Sequence, residues 1–554
     1  MNRITLLAIS AICTTTLFVS CKHTDKSGIL VPKDATFVVH IDGASLATKL
    51  PWQEIKQSGW FKDAYAEADD SLAKKLLDNP ENAGMNIRAS FAFFMKKQGA
   101  GGYWVFEGTI KDVAAFEAFN KKIGKDAAVS KDGDISLQTL NKGVTVCWNS
   151  TNFAYLLNNP GGGSFMPTGN YSESNAFPAD SLRKFGKDLL NLKSDNSLGE
   201  DSRFADLLQE TGDVHMWINS EQLYNGLAAG VMSMMKLNVL FEGNISATTF
   251  NFGDGKISMK SRQYYNKEMQ KLTEQYPSHP ISADIINRIP SQNVDAVFTM
   301  NYPPEGLKEF MKLIGVDGVV NSGMAKINYS MDEFVKANKG DLVFALSDFK
   351  IEEKSIQIPG STETYKSNSP DMKILFATSV NDKPAFDKLV TTLKTQVDQL
   401  GHTGMPEITY TLNNGWFAAS NSAEYVNKFL AGGNNNQPFA SKIGGHSMGA
   451  FIDIQKFLTA AAGTSSTTSG EAKEILDASQ KMWKDVYIWG DAKTGSEAEI
   501  NLVDKSTNSL KQLNQYFDKI AAVNKAQRAK WNTMPTDTAA AATVDTTAIA
   551  VPNH

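Results

Sequence analysis

The feature that most limits what this chain can fold into is a pattern that occurs twice. Asp34-Ala35-Thr36-Phe37-Val38-Val39-His40-Ile41-Asp42 reads as a strand running into a helix that bears leucine, tryptophan and isoleucine. It returns as Asp295-Ala296-Val297-Phe298-Thr299-Met300-Asn301, each time shortly after a proline, Pro32 or Pro290. Two apolar runs and a helix follow: Ser90 to Met95, Tyr103 to Ile110 and Asp112 to Glu117 in the first copy, Leu342 to Leu346, Lys373 to Val380 and Asp382 to Asp387 in the second. A β-run ending at Trp148 and a small helix, Asn152 to Leu157, then match Gly415 to Ala418 and Ala423 to Val426. Glycine and asparagine loops come next, and a further strand entering a helix matches Val214 to Asn219 with Met448 to Asp453. Repetition of so many elements in one order implies two homologous halves.

Hairpin-like strand pairs, such as the one turning at Gly253-Asp254-Gly255, argue against a strictly alternating parallel sheet. The expected class is therefore α+β, each half a largely antiparallel sheet with packed helices. The expected organisation is a signal segment at 1–20, a tether at 21–30, a first half at 31–278, a second half at 289–531 and a disordered tail at 532–554. The tail is rich in alanine and threonine, with too few large apolar residues to offset the entropy of ordering it. Before it, Ser509 to Trp531 places Leu510, Leu513, Phe517 and Ile520 on one helical face, which suits packing on a sheet.

The amino terminus supplies an address. Asn2 and Arg3 precede the apolar run Ile4 to Val19, which stops at Ser20-Cys21 before a polar stretch. That order fits a secretory signal ending at a lipid-attachment cysteine, and the run is short for a bilayer span. Of the three cysteines, Cys13 lies in the signal and Cys21 would carry lipid, so Cys147 is left alone in the body, without an intramolecular partner. Its β-prone surroundings, Gly143 to Trp148, point to a buried, inert thiol. Net charge is −5, with 55 basic and 60 acidic residues, which gives no reason to expect nucleic acid or an electrostatic membrane surface.

Several motifs invite chemistry. Gly445-His446-Ser447-Met448-Gly449 matches the nucleophile elbow of hydrolases, but a loop precedes it, a strand follows it, and the only later histidine is His554. The position corresponding to Ser447 in the first half is Asp213. His40 and Asp42 share one face of a strand and could serve a metal or a proton relay. Their counterparts are Thr299 and Asn301, so Asp42, Asn301, Asn219 and Asp453 read better as helix caps, as do Asp112 and Asp382. The histidines show no ligand spacing, Asp132-Gly133-Asp134 fits a hairpin turn better than a calcium loop, and the glycine clusters lack a phosphate-cradling lysine. No catalytic, metal or cofactor residue is expected. Trp52, Trp60, Trp104, Trp148, Trp217 and Trp416 all fall in expected elements, as core or as a stacking platform for glycan.

The Val31-Pro32-Lys33-Asp34-Ala35 start, the strand Phe37 to Asp42 and Leu50-Pro51-Trp52 resemble an uncharacterised family of Bacteroidota lipoproteins, that of domain of unknown function 4836, over nearly all of the mature chain. The family has no assigned active site, so the resemblance transfers no catalytic residue. It implies that Asp537-Thr538-Ala539 and Asp545-Thr546-Thr547 look like the O-glycosylation acceptor of that phylum, which makes Thr538 and Thr546 candidate sites. Acidic residues after the lipid cysteine accompany surface export in such bacteria. Lys22-His23-Thr24-Asp25-Lys26 has one, so the periplasmic face of the outer membrane is expected over the cell surface. The resulting reading is a lipid-anchored envelope protein acting as a non-catalytic binding or structural scaffold, with an envelope protein or glycan as partner. The alternatives are an envelope hydrolase using Ser447 and a glycan-binding lipoprotein.

Overall fold

In the computed structural model the described residues are 30–67, 74, 77–125, 127–141, 143–161, 175–224, 236–357, 364–400, 408–462 and 470–533. The expected signal segment and nearly all of the expected tail, with Cys21, Thr538 and Thr546, lie outside them. The fold is α+β. Its first ten strands are β1 (Phe37–Asp42), β2 (Ser90–Gln98), β3 (Gly101–Thr109), β4 (Ser130–Asp132), β5 (Ile135–Asn141), β6 (Val144–Trp148), β7 (Asn152–Asn159), β8 (Val214–Asn219), β9 (Ile245–Gly253) and β10 (Lys256–Tyr264). The remaining strands are β11 (Val294–Asn301), β12 (Asn338–Gln357), β13 (Thr364–Val380), β14 (Thr409–Asn413), β15 (Trp416–Ser420), β16 (Met448–Asp453), β17 (Trp483–Asp491) and β18 (Gly495–Leu502).

All eighteen strands join one antiparallel sheet. Outward from its middle in one direction run β10, β9, β8, β1, β2, β3, β7 and β6, with β5 and β4 beyond. In the other direction run β18, β17, β16, β11, β12, β13, β15 and β14. Renumbered within its own series, each direction follows the same order. The two series meet where β10 pairs with β18, and Lys260 faces Glu497 at the point about which they repeat.

One element departs from expectation. Asn152 to Leu157 is strand β7, not a helix, and β7 corresponds to β15. The strand lies between β3 and β6 with both faces covered, so its side chains form a continuous apolar run; a run that short has no period that separates strand from helix. The hairpin turn at Gly255 stands: its φ is +62°, and a Cβ there would strike the Lys505 backbone.

Helices pack mainly on one face of the sheet, called here the inner face. In the first series Leu182, Leu189, Phe204, Leu207 and Leu208 cover Val38, Phe94, Val105 and Trp217. In the second, Val426, Phe429, Leu430 and Ile443 cover Val297, Val343, Ala377 and Ala418. On the outer face, helix Val113–Ile123 sits at one end over Phe106, Phe153 and Tyr155, and helix Lys383–Leu400 sits at the other over Val380 and Phe417. Asp112 and Asp382 cap these two helices, accepting from Ala115 N at 3.0 Å and Ala385 N at 2.9 Å.

The carboxy-terminal helix, Ser509–Thr533, packs chiefly on a helix where the sequence pattern suggested a sheet. It lies chiefly on helix Gly470–Met482, where Ser479 Oγ and Tyr516 OH are 3.0 Å apart, and it also reaches Gly59–Glu67, with Trp60 Nε1 donating to Asn514 at 3.0 Å and Trp60 N to Asp518 at 2.8 Å. Leu510 packs beside Trp52 and Phe61, while Phe517, on the expected buried face, is 58% exposed. The contact has a counterpart: helix Lys267–Gln275, which follows β10, meets helix Pro304–Leu313, which follows β11. Each closing helix therefore also makes a contact with the other series.

Candidate functional site

Two register rows set the character of the two faces. The row at the centre of the inner face reads, strand by strand, Cys147, Ala154, Glu107, Ala92, His40, His215, Thr249 and Lys260. Past the seam it continues as Glu497, Trp489, Gly449, Thr299, Val343, Ala377 and Ala418. Glu107, His40 and His215 are thus matched in the other series by Ala377, Thr299 and Gly449, so within this row the buried titratable groups belong to one series alone.

Of these groups, His40 and His215 are in direct contact, while Glu107 lies two strands away in the same row. His215 Nε2 lies 3.0 Å from the Glu210 carbonyl, which can only accept, so Nε2 carries the proton and Nδ1 is left as an acceptor. His40 Nδ1, 3.3 Å away, then donates to it. Burial holds His40 down to about 3, with His215 adding to the effect, and burial also lowers His215. Burial raises the Glu107 carboxyl well above its usual range, although Leu30 N donates to both of its oxygens, at 2.9 and 3.1 Å. Cys147 is buried and pushed up to about 12, an inert thiol. At the adjoining strand end, Asp213 is fully buried and accepts from Ser45 Oγ at 2.5 Å, Lys49 Nζ at 2.7 Å and Phe252 N at 2.6 Å.

The motifs that invited chemistry are engaged structurally. Ser447 Oγ is buried against the Gly490 carbonyl, and Ser447 N and His446 Nδ1 both meet Asp491, at 2.7 and 3.1 Å. The serine hydroxyl has no hydrogen bond to a histidine, so Asp491 acts as a clasp on the turn entering β16. Asp42, Asn219 and Asp453 cap their helices as expected. Asn301 does not cap: it accepts from His279 N and donates to Asp341, because Pro303 and Pro304 open the following helix. Asp132-Gly133-Asp134 turns the β4–β5 hairpin. Among the described residues no group of three or more His, Cys, Asp or Glu could hold a metal, and no helix is long and apolar enough to cross a membrane. Trp52, Trp148, Trp217 and Trp416 are at most 9% exposed; Trp60 and Trp104 are half-buried.

The outer face has a different character. One register row crosses thirteen strands as Phe91, Ile41, Val214, Phe250, Met259, Ala498, Ile488, Ala450, Phe298, Phe344, Phe376, Ala419 and Tyr410, without a charged residue. A flanking row reads Phe252, Ile257, Ile500, Val486, Ile452, Ala296, Leu346 and Ile374. Phe298, Phe344 and Phe376 are each 38% exposed, Ile452 39% and Tyr410 41%. Sheet faces of folded monomers are usually polar where they meet water, and a contiguous apolar patch marks a contact surface.

A family model matches residues 28–429, from just before β1 through the helix Ala423–Ala431 that follows β15. The chain belongs to the family Domain of unknown function (DUF4836). No curated protein matches this DUF4836 chain. A solved structure titled "Structure of crystal form I of TP0453" is similar over 45% of the chain and 85% of its own length, at 10% identity and a TM-score of 0.24, a likeness too slight to bear an argument.

Sequence reasoning missed the outer face of the DUF4836 chain, although a signal was present. Leu342-Val343-Phe344-Ala345-Leu346 and Ile374-Leu375-Phe376-Ala377 are apolar at every position, which ordinarily means a strand covered on both sides. Among the described residues one of those sides, carrying Phe344 and Phe376, is open.

Proposed function

We propose that this protein is a lipid-anchored, non-catalytic binding scaffold of the cell envelope, held through Cys21 at the periplasmic face of the outer membrane. Its binding surface is the outer face of the sheet between helices Val113–Ile123 and Lys383–Leu400. The observation that carries the reading is the uncharged row of half-exposed aromatic and aliphatic side chains through Phe298, Phe344 and Phe376. Burying each such ring on a partner is worth roughly 1.5–3 kcal/mol at most, so a few contacts suffice for binding. The anchor is supported by the order of charge, apolar run and Ser20-Cys21. Two acyl chains on Cys21 would hold it stably, since each buried methylene contributes about 0.8 kcal/mol. The non-catalytic part is supported by Ser447, whose hydroxyl is buried on a carbonyl.

The test is a photo-cross-linking residue placed at Phe344 of the full chain in its own envelope, with the same residue at Phe517 as reference. Adducts at 344 and none at 517 are expected, and their absence at 344 removes the binding face. In parallel, Cys21→Ala is expected to leave the membrane fraction; retention there removes the anchor.

A further inference from the structure

We propose that the occupant of the outer face is phospholipid, its acyl chains lying across β17, β16, β11, β12, β13, β15 and β14. The inference rests on the binding-face reading above and names its ligand. Three observations favour hydrocarbon. First, the rows that cross these strands offer a partner almost nothing to hydrogen-bond. Ile488, Ala450, Phe298, Phe344, Phe376 and Ala419 carry no polar side-chain atom, and the backbone groups of interior strands are engaged in the ladders. A protein partner would be expected to make about one hydrogen bond per 100–200 Å² of contact.

Second, the dimensions suit a lipid. Six inter-strand spacings separate Ile488 from Tyr410, about 29 Å at ~4.8 Å each. One leaflet of a bilayer contributes about half of its ~30 Å hydrocarbon thickness, so an acyl chain fits on this stretch with apolar side chains under its whole length. Helix Lys383–Leu400, packed on Phe417 through Phe386 at 5.2 Å, closes one end.

Third, the stretch between Cys21 and the first described residue is short. Only eight residues lie between Cys21 and Leu30, a reach of at most ~30 Å over the nine steps. Leu30 is fastened to Glu107, whose side chain lies in the inner-face row, so the tether leaves from the opposite side of the sheet. The open face therefore lies on the side of the sheet away from the point where the chain joins the body at Leu30. This geometry suits a holder of single lipid molecules more than a protein lying flat on its own membrane.

The experiment uses the secreted Cys21→Ala protein, free of its own lipid, incubated with vesicles of phosphatidylethanolamine and phosphatidylglycerol and then separated from them by flotation. Phospholipid extracted from the protein fraction at a fixed stoichiometry is the expected result. Phe344→Asp and Phe376→Asp, both at half-exposed positions, are expected to lower it at least about tenfold with unchanged circular dichroism, while Phe517→Asp leaves it unchanged. Lipid-free protein after incubation overturns the proposal, as does equal loading of Phe344→Asp. Concentration-dependent dimers that Phe344→Asp dissolves, without bound lipid, would assign the face to a second copy and also overturn it. A protein adduct from position 344 with no lipid loading retains the binding face and rejects the ligand; no adduct and no lipid reject both.

Discussion

Stability should fall with acid in a way that traces to His40. The ring is 1% exposed and donates to His215, and burial holds it down to about 3 against an ordinary value of 6.5. Because the folded value lies below the unfolded one, this contribution is fully present above pH 6.5 and is lost as pH falls toward 3. At pH 5.0 the unfolded chain takes up a proton that the folded chain still refuses. The roughly 1.5 pH units between 6.5 and 5.0, at ~1.4 kcal/mol each, amount to about 2 kcal/mol. His40→Gln keeps a donor for His215 Nδ1 but cannot titrate. Urea unfolding at pH 7.5 and 5.0 should therefore show the natural protein losing about 2 kcal/mol more than His40→Gln between the two conditions. Equal losses would refute the reasoning, since every other group is common to both proteins.

Two further expectations follow from the buried groups. Glu107→Gln should show the opposite pH trend: burial raises the carboxyl, so the natural protein loses stability as pH rises above the usual carboxylate range, while the amide does not, and the gap in urea midpoint should widen from pH 4 to pH 8. Asp213→Ala leaves Lys49, Ser45 and the Phe252 amide without their shared acceptor and should cost about 3–5 kcal/mol by denaturant titration, whereas Ser447→Ala, losing one hydrogen bond, should cost about 1 kcal/mol.

Much of the fold was legible because it rests on local chemistry. Asp112, Asp382, Asp42 and Asp453 announce helix starts through short side chains that reach free N–H groups, and Gly255 announces a hairpin through its φ. The error at Asn152 to Leu157 came from the one kind of segment in which local pattern carries no period, an interior strand covered on both sides. The buried polar row was half visible: His40 stood out, but His215 and Glu107 joined it only through a register spanning β1, β8, β2 and β3. The outer face was invisible for a different reason. Sequence shows that Phe344 and Phe376 are apolar, but not that, among the described residues, no helix covers the side they occupy.

The seam between β10 and β18 bears on how the chain can be divided. A two-strand join about a point where Lys260 meets Glu497, braced on either side by a closing helix that also contacts the other series, has the self-complementary geometry of a twofold dimer. Separately expressed pieces cut between Ser278 and Ile289 should therefore reassemble noncovalently, the linker serving to supply local concentration in place of a structural strut. Neither piece alone keeps its sheet closed on that edge, so each would present β10 or β18 as an unpaired strand and would pair with whatever strand it met first.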